Sequence, residues 1–250
     1  MKLGLIGAGN MASALARGIG EPALVHDIDS AKALRLAAEL GGEAVGPGRL
    51  ADEADVVVLC HKPQQLHEVA GQIAPRAIAS ILAATTTAQI EQAYPDTPVY
   101  RFIPNIPAEV RKGVLCYVPG SLAGRGPEQE ILELFARAGT VLRLDEEPLI
   151  EPAMALMSCG PAFMALIAES FAEAGVEHGL PRDDAMRMVV ETMGGTAAYL
   201  AENGWDAEGL RVRVATPGGA TERGLIRLED EGVRELCRSA VDAVVGGTRR

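Results

Sequence analysis

The sequence predicts an α/β chain, a doubly wound and mostly parallel sheet over residues 1–148 followed by an all-helical domain over 149–250. Three observations carry this reading. The first half alternates short β-branched apolar runs with helical stretches, which implies crossover connections and therefore parallel strands. One of those runs, "DVVVLC" at 55–60, is apolar on successive residues, as a strand covered on both faces must be. From about Leu149 the β-branched runs stop and apolar residues recur at three- and four-residue spacing, the period of helices.

Taken in order, Lys2–Ile6 reads as a strand, Met11–Gly20 as a helix and Ala23–Asp27 as a second strand. Ser30–Leu40 reads as a helix with Ser30 at its N-cap and Gly41 as its stop. Asp55–Cys60 is the third strand, Pro63–Ile73 a helix, Ala77–Ala83 the fourth strand and Thr87–Tyr94 a short helix. Val99–Ile103 and Gly113–Val118 follow as strands, then the helix Glu128–Ala138 and a last strand at Val141–Leu144. In the second half Pro161 occupies the first turn of a helix reaching Glu177. Phe163, Leu166, Ile167, Phe171 and Ala174 form one stripe on it, predicted to be buried. Helices from Pro181 towards Leu200, over Ala207–Val214, Gly219–Leu228 and Val233–Val245 complete the chain. The apolar content of this half predicts a face buried against a second subunit.

Composition narrows the function. Hydrophobic residues make up 48 % of the 250, enough for a sizeable core. A net charge of −11 and a pI near 4.9 argue against a nucleic-acid partner, which calls for a basic face. No uninterrupted apolar run reaches the roughly 18 residues of a membrane span. The apolar start of the chain is broken by Gly7, Gly9 and Asn10 and lacks a signal-peptide cleavage site. Cys60, Cys116, Cys159 and Cys237 are scattered without disulfide or zinc-ligand spacing. These features predict a cytoplasmic protein without a metal.

Gly7-Ala8-Gly9-Asn10-Met11-Ala12 fits G-x-G-x-x-A between a first strand and a helix. The first glycine permits a tight turn, the second lets backbone approach a diphosphate, and the small sixth residue lets helix and strand pack closely. The diphosphate then meets the unpaired N–H groups of the helix N-terminus. Asp27, 20 positions after Gly7, stands where an acid binds a ribose 2′-hydroxyl. The pattern predicts a bound NAD or NADP. Asp27 would repel a 2′-phosphate and only Lys32 follows it closely, which favours NAD. A lone strand-end histidine such as His26 reads as packing.

Four further stretches carry a resemblance: "VVVLCHKPQQL" (56–66), "RFIPNIPAEVRKGV" (101–114), "CGPAFMALIAESFAEAGVEHGLPRDDA" (159–185) and "VATPGGATERGLIRLEDEGVRELCRSAVDAV" (214–244). In this order they resemble the pyrroline-5-carboxylate reductases over nearly the whole chain. The resemblance implies a Rossmann-type domain followed by a helical domain that interleaves with its partner's in a homodimer or a higher oligomer. It implies hydride transfer from NAD(P)H to a cyclic imine carboxylate, giving L-proline. Gly7, Ala8, Gly9, Asn10 and Met11 would hold the diphosphate, and His61, Lys62 and Pro63 with Asn105 the ribose and nicotinamide side. Thr216, Gly218, Gly219 and Thr221 would face the substrate.

The last assignment also has a physical basis. "TPGGAT" puts two glycines before an apolar-periodic helix, whose free N–H groups can seat a small carboxylate with the Thr216 hydroxyl as a further donor. Thr221, as the catalytic candidate, would hydrogen-bond the ring nitrogen as it becomes an amine. A cyclic imine is basic enough to be protonated near neutral pH, so the protein's work is orientation and water exclusion. Lys62 then reads as a cofactor contact rather than a proton donor. Glu169 and Glu173 read as a solvated or interface edge, and Cys159 as a small buried residue at a helix entry.

Several positions depart from the family's usual residues. Met157, Ser158, Cys159 and Phe163 stand in a segment usually Ser-Gly-Ser-Gly-Pro-Ala-Tyr, and Ile106 replaces a threonine. His61 replaces a valine, Thr85 a glycine, and Val212 an acidic residue. These swaps leave three alternatives open: another cyclic imine, a β-hydroxyacid dehydrogenase-like enzyme, or a catalytically silent dinucleotide-binding regulator. The dehydrogenase chemistry wants a general acid–base lysine on the first long helix of the second domain, and the helix from Pro161 to Glu177 contains none.

Overall fold

A computed structural model describes residues 1–247. The chain forms two compact units, Met1–Pro161 and a second beginning at Ala162. In the first, eight strands form one sheet in the order β3-β2-β1-β4-β5-β6-β7-β8. They are β1 (Leu3–Ile6), β2 (Ala23–His26), β3 (Glu43–Ala44), β4 (Val56–Leu59), β5 (Ile78–Ser80), β6 (Val99–Ile103), β7 (Gly113–Pro119) and β8 (Gly139–Arg143). All neighbours are parallel except β6 and β7. Their link is only a 3-10 turn, Ile106–Val110, too short for a crossover, so the chain must reverse direction.

The helices of this unit are α1 (Asn10–Ile19), α2 (Ser30–Glu39), α3 (Pro47–Glu53), α4 (Leu66–Ala70), α5 (Thr87–Ala93), α6 (Glu128–Ala136) and α7 (Ile150–Ala153). The run "DVVVLC" behaves as its composition demands. Val56 and Val58 enter the cluster on one face of the sheet with Leu15, Phe102 and Phe135, while Val57 and Leu59 enter the other with Leu50 and Ile90. Each such side chain contributes about 1.5–3 kcal/mol by leaving water. Phe102 stacks on both Tyr117 and Phe135, at 5.2 and 4.3 Å between centroids.

Some local expectations need correction. Asp29, not Ser30, caps α2, its side chain accepting from the Ala31 N–H; a carboxylate one residue earlier matches the free amides better. The helix expected over Pro63–Ile73 is a 3-10 turn at Pro63–Gln65 followed by α4, which ends at Ala70. β3 and α3 went unforeseen, because a two-residue strand has no periodicity to read.

The second unit contains α8 (Gly160–Glu177, starting at the end of the first unit), α9 (Arg182–Glu202), α10 (Ala207–Val214), α11 (Ala220–Asp230) and α12 (Val233–Gly247). The stripe expected to be buried on α8 is not buried within the chain. Leu166 is 62 % exposed and Phe171 53 %, whereas Ala168 and Ala172 are covered. The small residues make the contact inside the chain, and the large ones stay outside it.

The change of texture at Leu149 precedes the change of packing at Pro161. Ile150, Ala155 and Met157 are buried in the first unit, where a π-turn, Met154–Ser158, links α7 to α8. Continuous helical structure over Glu147–Glu177 is long and apolar enough, by length and composition, to cross a membrane. Counting uninterrupted apolar runs missed it, because Glu151 and Glu169 bound the uncharged stretch. A subunit-interface helix satisfies the same test.

Candidate dinucleotide crevice and helix-entry site

Strand order places β1 between β2 and β4, so the connections leave in opposite directions and a crevice opens at the strands' C-terminal ends. The glycine turn sits there. Gly7 has φ +108°, and a Cβ on it would lie 2.6 Å from the Cys60 carbonyl and 2.8 Å from the His61 nitrogen. Its N–H donates to the His26 carbonyl at 2.7 Å. Gly9 is the opposite case: its backbone is extended (φ −74°, ψ 178°), it lends no side chain to cap α1, and a Cβ there would meet nothing within 4 Å. The open space over Gly9, in front of the first turn of α1, fits a diphosphate. Ala12 is buried beneath it.

The Asp27 carboxylate is engaged by backbone at both oxygens. Its Oδ2 accepts from the Ala8 N–H at 2.7 Å and its Oδ1 from the Asp29 N–H at 2.8 Å. A carboxylate has about four acceptor positions, so two remain for sugar hydroxyls. The amide of Ala8 is thereby committed, which leaves the amides of the α1 first turn, Asn10 and Met11 foremost, for an anion. His26 packs as expected, its Nδ1 3.2 Å from the Val45 carbonyl. A cavity of about 440 Å³ between α1 and α2 is lined by Gly9, Asn10, Ser13, Lys32, Arg35 and Ile106 among others. Arg35 was missed from sequence; its spacing of three from Lys32 on a helix was the available signal. Arg17 also lines this cavity, but Glu39 and Glu109 hold its guanidinium at 2.8 and 2.7 Å.

At the end of β4, His61 Nδ1 lies 2.9 Å from the Lys62 carbonyl and so carries the proton that donates to it. Its Nε2 is buried and has no partner among the described residues. Burial lowers the His61 pKa, against the opposing pull of that backbone carbonyl, so the ring is a neutral acceptor. Lys62 is exposed, its N–H donating to Gln65 Oε1 at 3.3 Å, and Pro63 opens the 3-10 turn.

Asn105, expected beside the nicotinamide, is buried with its carboxamide engaged on both sides. Oδ1 accepts from the Val114 N–H at 2.9 Å and Nδ2 donates to the Met157 carbonyl at 2.8 Å. A second clasp, half-buried around the buried Arg101, went unforeseen. Arg101 Nη1 reaches Glu147 Oε1 at 2.6 Å, and Glu147 also accepts from the Thr87 N–H at 2.7 Å and the Thr87 hydroxyl at 2.9 Å. Burial alone would raise the Glu147 pKa; the Thr87 and Arg101 hydrogen bonds outweigh it and hold the carboxyl below the usual range.

In the second unit Thr216, Gly218, Gly219 and Thr221 share one turn at the start of α11. Gly218 has φ +71°, and the Gly219 N–H donates to the Thr216 carbonyl at 2.8 Å. The Gly218 N–H is taken by Glu222 Oε2 at 2.6 Å, and Arg223 Nη1 bonds the Gly218 carbonyl at 3.0 Å. The two glycines therefore shape the turn, while the first-turn amides beyond Gly219 have no side-chain cap. Thr216 and Thr221 are exposed. Among the described residues no group of three or more His, Cys, Asp or Glu is placed to hold a metal.

Comparison with known proteins gives this geometry its relatives. Residues 147–250 match a family model described as pyrroline-5-carboxylate reductase dimerisation, and residues 2–85 one described as NADP oxidoreductase, coenzyme F420-dependent. A pyrroline-5-carboxylate reductase of Glycine max is 31 % identical, over 99 % of this chain and 94 % of its own length. That of Pseudomonas aeruginosa is 31 % identical over 97 % and 93 %. The structure of the Coxiella burnetii reductase superposes with a TM-score of 0.90 at 28 % identity, covering 99 % of this chain and 97 % of that one. A Plasmodium falciparum pyrroline carboxylate reductase with NADP bound shares the fold at a TM-score of 0.84 and 24 % identity, over 99 % and 97 %. From the glycine turn to the helical half that carries the dimerisation domain, this chain belongs to the pyrroline-5-carboxylate reductase family.

Proposed function

We propose that this protein reduces pyrroline-5-carboxylate to L-proline, using NADH in preference to NADPH. The observation that carries the reading is the open diphosphate cradle over Gly9 in a chain of this family that also keeps the TPGGAT helix entry. Asn10 and Met11 bind the diphosphate through their amides, Gly7 and Ala8 hold the turn in shape, and Asp27 accepts from the adenosine ribose. A 2′-phosphate would meet the Asp27 carboxylate, which supports the preference for NADH. Lys32 and Arg35 in the adjoining cavity support a residual acceptance of NADPH. His61, Lys62 and Pro63 line the nicotinamide end.

The nicotinamide, when bound, supplies the hydride. The remaining work falls to the chain's own groups. The Thr216 hydroxyl and the amides of Ala220 and Thr221 seat the substrate carboxylate at the α11 N-terminus, where the helix dipole favours an anion. Thr221 orients the ring nitrogen, which arrives protonated, so no side chain has to deliver a proton before reduction. His61, held neutral, offers an acceptor at the end of β4 and adds no positive charge there. The protein acts as a homodimer or a larger assembly of such dimers through its dimerisation domain. Four unpaired cysteines fit a reducing cytoplasm.

The test is the initial rate of NADH and NADPH oxidation with racemic pyrroline-5-carboxylate, with Thr221→Ala in parallel. Turnover with NADH ahead of NADPH is expected. The variant should lose roughly tenfold to a hundredfold, the worth of one hydrogen bond to a charged group. Firm dinucleotide binding without imine turnover would overturn the proposal.

A further inference from the structure

We infer that Asn105 is a positioning residue for the substrate side of the site, acting through the backbone of Met157, rather than a contact to the cofactor. The inference rests on the function proposed above and on a donor missing from the chain. In a helix the carbonyl of Met157 would accept from the N–H four residues on, and that residue is Pro161, which has none. A buried carbonyl without a partner is costly, and Met157 is buried. Asn105 Nδ2 supplies the bond at 2.8 Å from the end of β6.

The surrounding geometry shows that this bond is built in. The Val114 N–H holds Asn105 Oδ1 at 2.9 Å, so the carboxamide can present only its NH₂ to Met157. The Asn105 carbonyl accepts from the Ala108 N–H at 3.0 Å, pinning the backbone as well. On the other side, Met157 lies in the π-turn Met154–Ser158, closed by the Cys159 N–H on the Met154 carbonyl at 3.0 Å. π-turns are rare and concentrate at functional sites. This one leads through Ser158 and Cys159 to Gly160, and of the family's usual Ser-Gly-Ser-Gly over Met157–Gly160 the chain keeps only the last glycine. The clasp ties that segment to the C-terminal end of β6, the edge on which the crevice opens. Both ends of the carboxamide are thus engaged by backbone, leaving one N–H and one acceptor lone pair of Asn105 uncommitted.

Asn105→Asp keeps the size and the acceptor for Val114 but sets an oxygen against the Met157 carbonyl. Three measurements decide. Amide exchange over residues 154–163 should quicken about tenfold or more while the peptides of β1, α1 and β4 stay as in the wild type. The KM for the imine should rise about tenfold, and the Kd for NADH should stay within about twofold. If NADH binding weakens tenfold while the imine KM and the exchange of 154–163 hold, Asn105 faces the cofactor and the inference is wrong. Unchanged exchange over 154–163 would also refute the clasp. If Asn105→Asp does not fold, Asn105→Ala alone and with Pro161→Ala replaces it. The added N–H at 161 should restore slow exchange over 154–160, and failure to restore it would count against the missing-donor argument. Should the wild type turn over no imine, the proposed substrate fails, while the exchange and NADH measurements still decide the clasp.

Discussion

Replacing Gly9 with alanine separates a ligand-facing glycine from a structural one, and Gly7→Ala is its control. At Gly9 the backbone is extended and a Cβ meets nothing within 4 Å. Alanine costs the fold nothing there and adds about 0.4–1 kcal/mol by restricting the unfolded chain. The methyl group occupies the space that the diphosphate would enter, and overpacking of that kind costs about 1–3 kcal/mol. Dinucleotide affinity should therefore fall by about fivefold to 150-fold, at 1.4 kcal/mol per factor of ten. At Gly7 the ledger reverses. A φ of +108° strains any other residue by about 1–3 kcal/mol, and backbone atoms at 2.6 Å cannot yield without moving β4, which adds about 1–3 kcal/mol. For a chain of this size each kcal/mol lowers Tm by about 2–4 °C, so Gly7→Ala should melt at least about 4 °C early. Scanning calorimetry reads stability, and isothermal titration with NADH reads binding. Wild-type NADH affinity in Gly9→Ala, or a loss of Tm there as large as in Gly7→Ala, would refute the reasoning.

Two further outcomes follow from buried and exposed groups. The folded pKa of Glu147 lies below its unfolded value, so its contribution is present above about pH 4.3 and is lost as pH falls through the folded pKa. Glu147→Gln should flatten that acid limb of the stability curve and lower Tm at pH 7 by leaving Arg101 without its counter-charge; an unaltered acid limb would show that the pair is not what holds α5. Phe171→Glu, on the exposed face of α8, should weaken self-association at least tenfold in sedimentation analysis, and an unchanged oligomer would place the interface elsewhere.

What the sequence disclosed and what it hid have physical reasons. Continuous β-branched runs such as Val56–Leu59 have few places to go but the middle of a sheet, and they were legible. So was the glycine turn, whose φ and close approach admit few alternatives. β3 was invisible because two residues carry no period. Asp27 was legible as an acid at the right distance, but not as the acceptor that ties Ala8 to Asp29, since backbone amides leave no trace in composition. The Arg101–Glu147–Thr87 clasp and the Asn105–Met157 bond join residues 46 to 60 positions apart. Pro161 was legible as a helix-entry residue, but not as the reason the Met157 carbonyl takes its donor from Asn105.

The stripe on α8 shows where periodicity stops being informative. The spacing of Phe163, Leu166, Ile167 and Phe171 correctly names one face of a helix, but a hydrophobic period reports that water is excluded and not which chain excludes it. Within this chain the covered face is Ala168 and Ala172, and the bulkier residues stand in solvent. A helix evolved for a monomer would bury the opposite side, since each large apolar side chain removed from water stabilises by about 1.5–3 kcal/mol and an alanine by far less. The inversion leaves a large apolar face for a second surface to cover, and residues 147–250 match a family model described as pyrroline-5-carboxylate reductase dimerisation, so another copy of the chain is the occupant that Phe171→Glu tests.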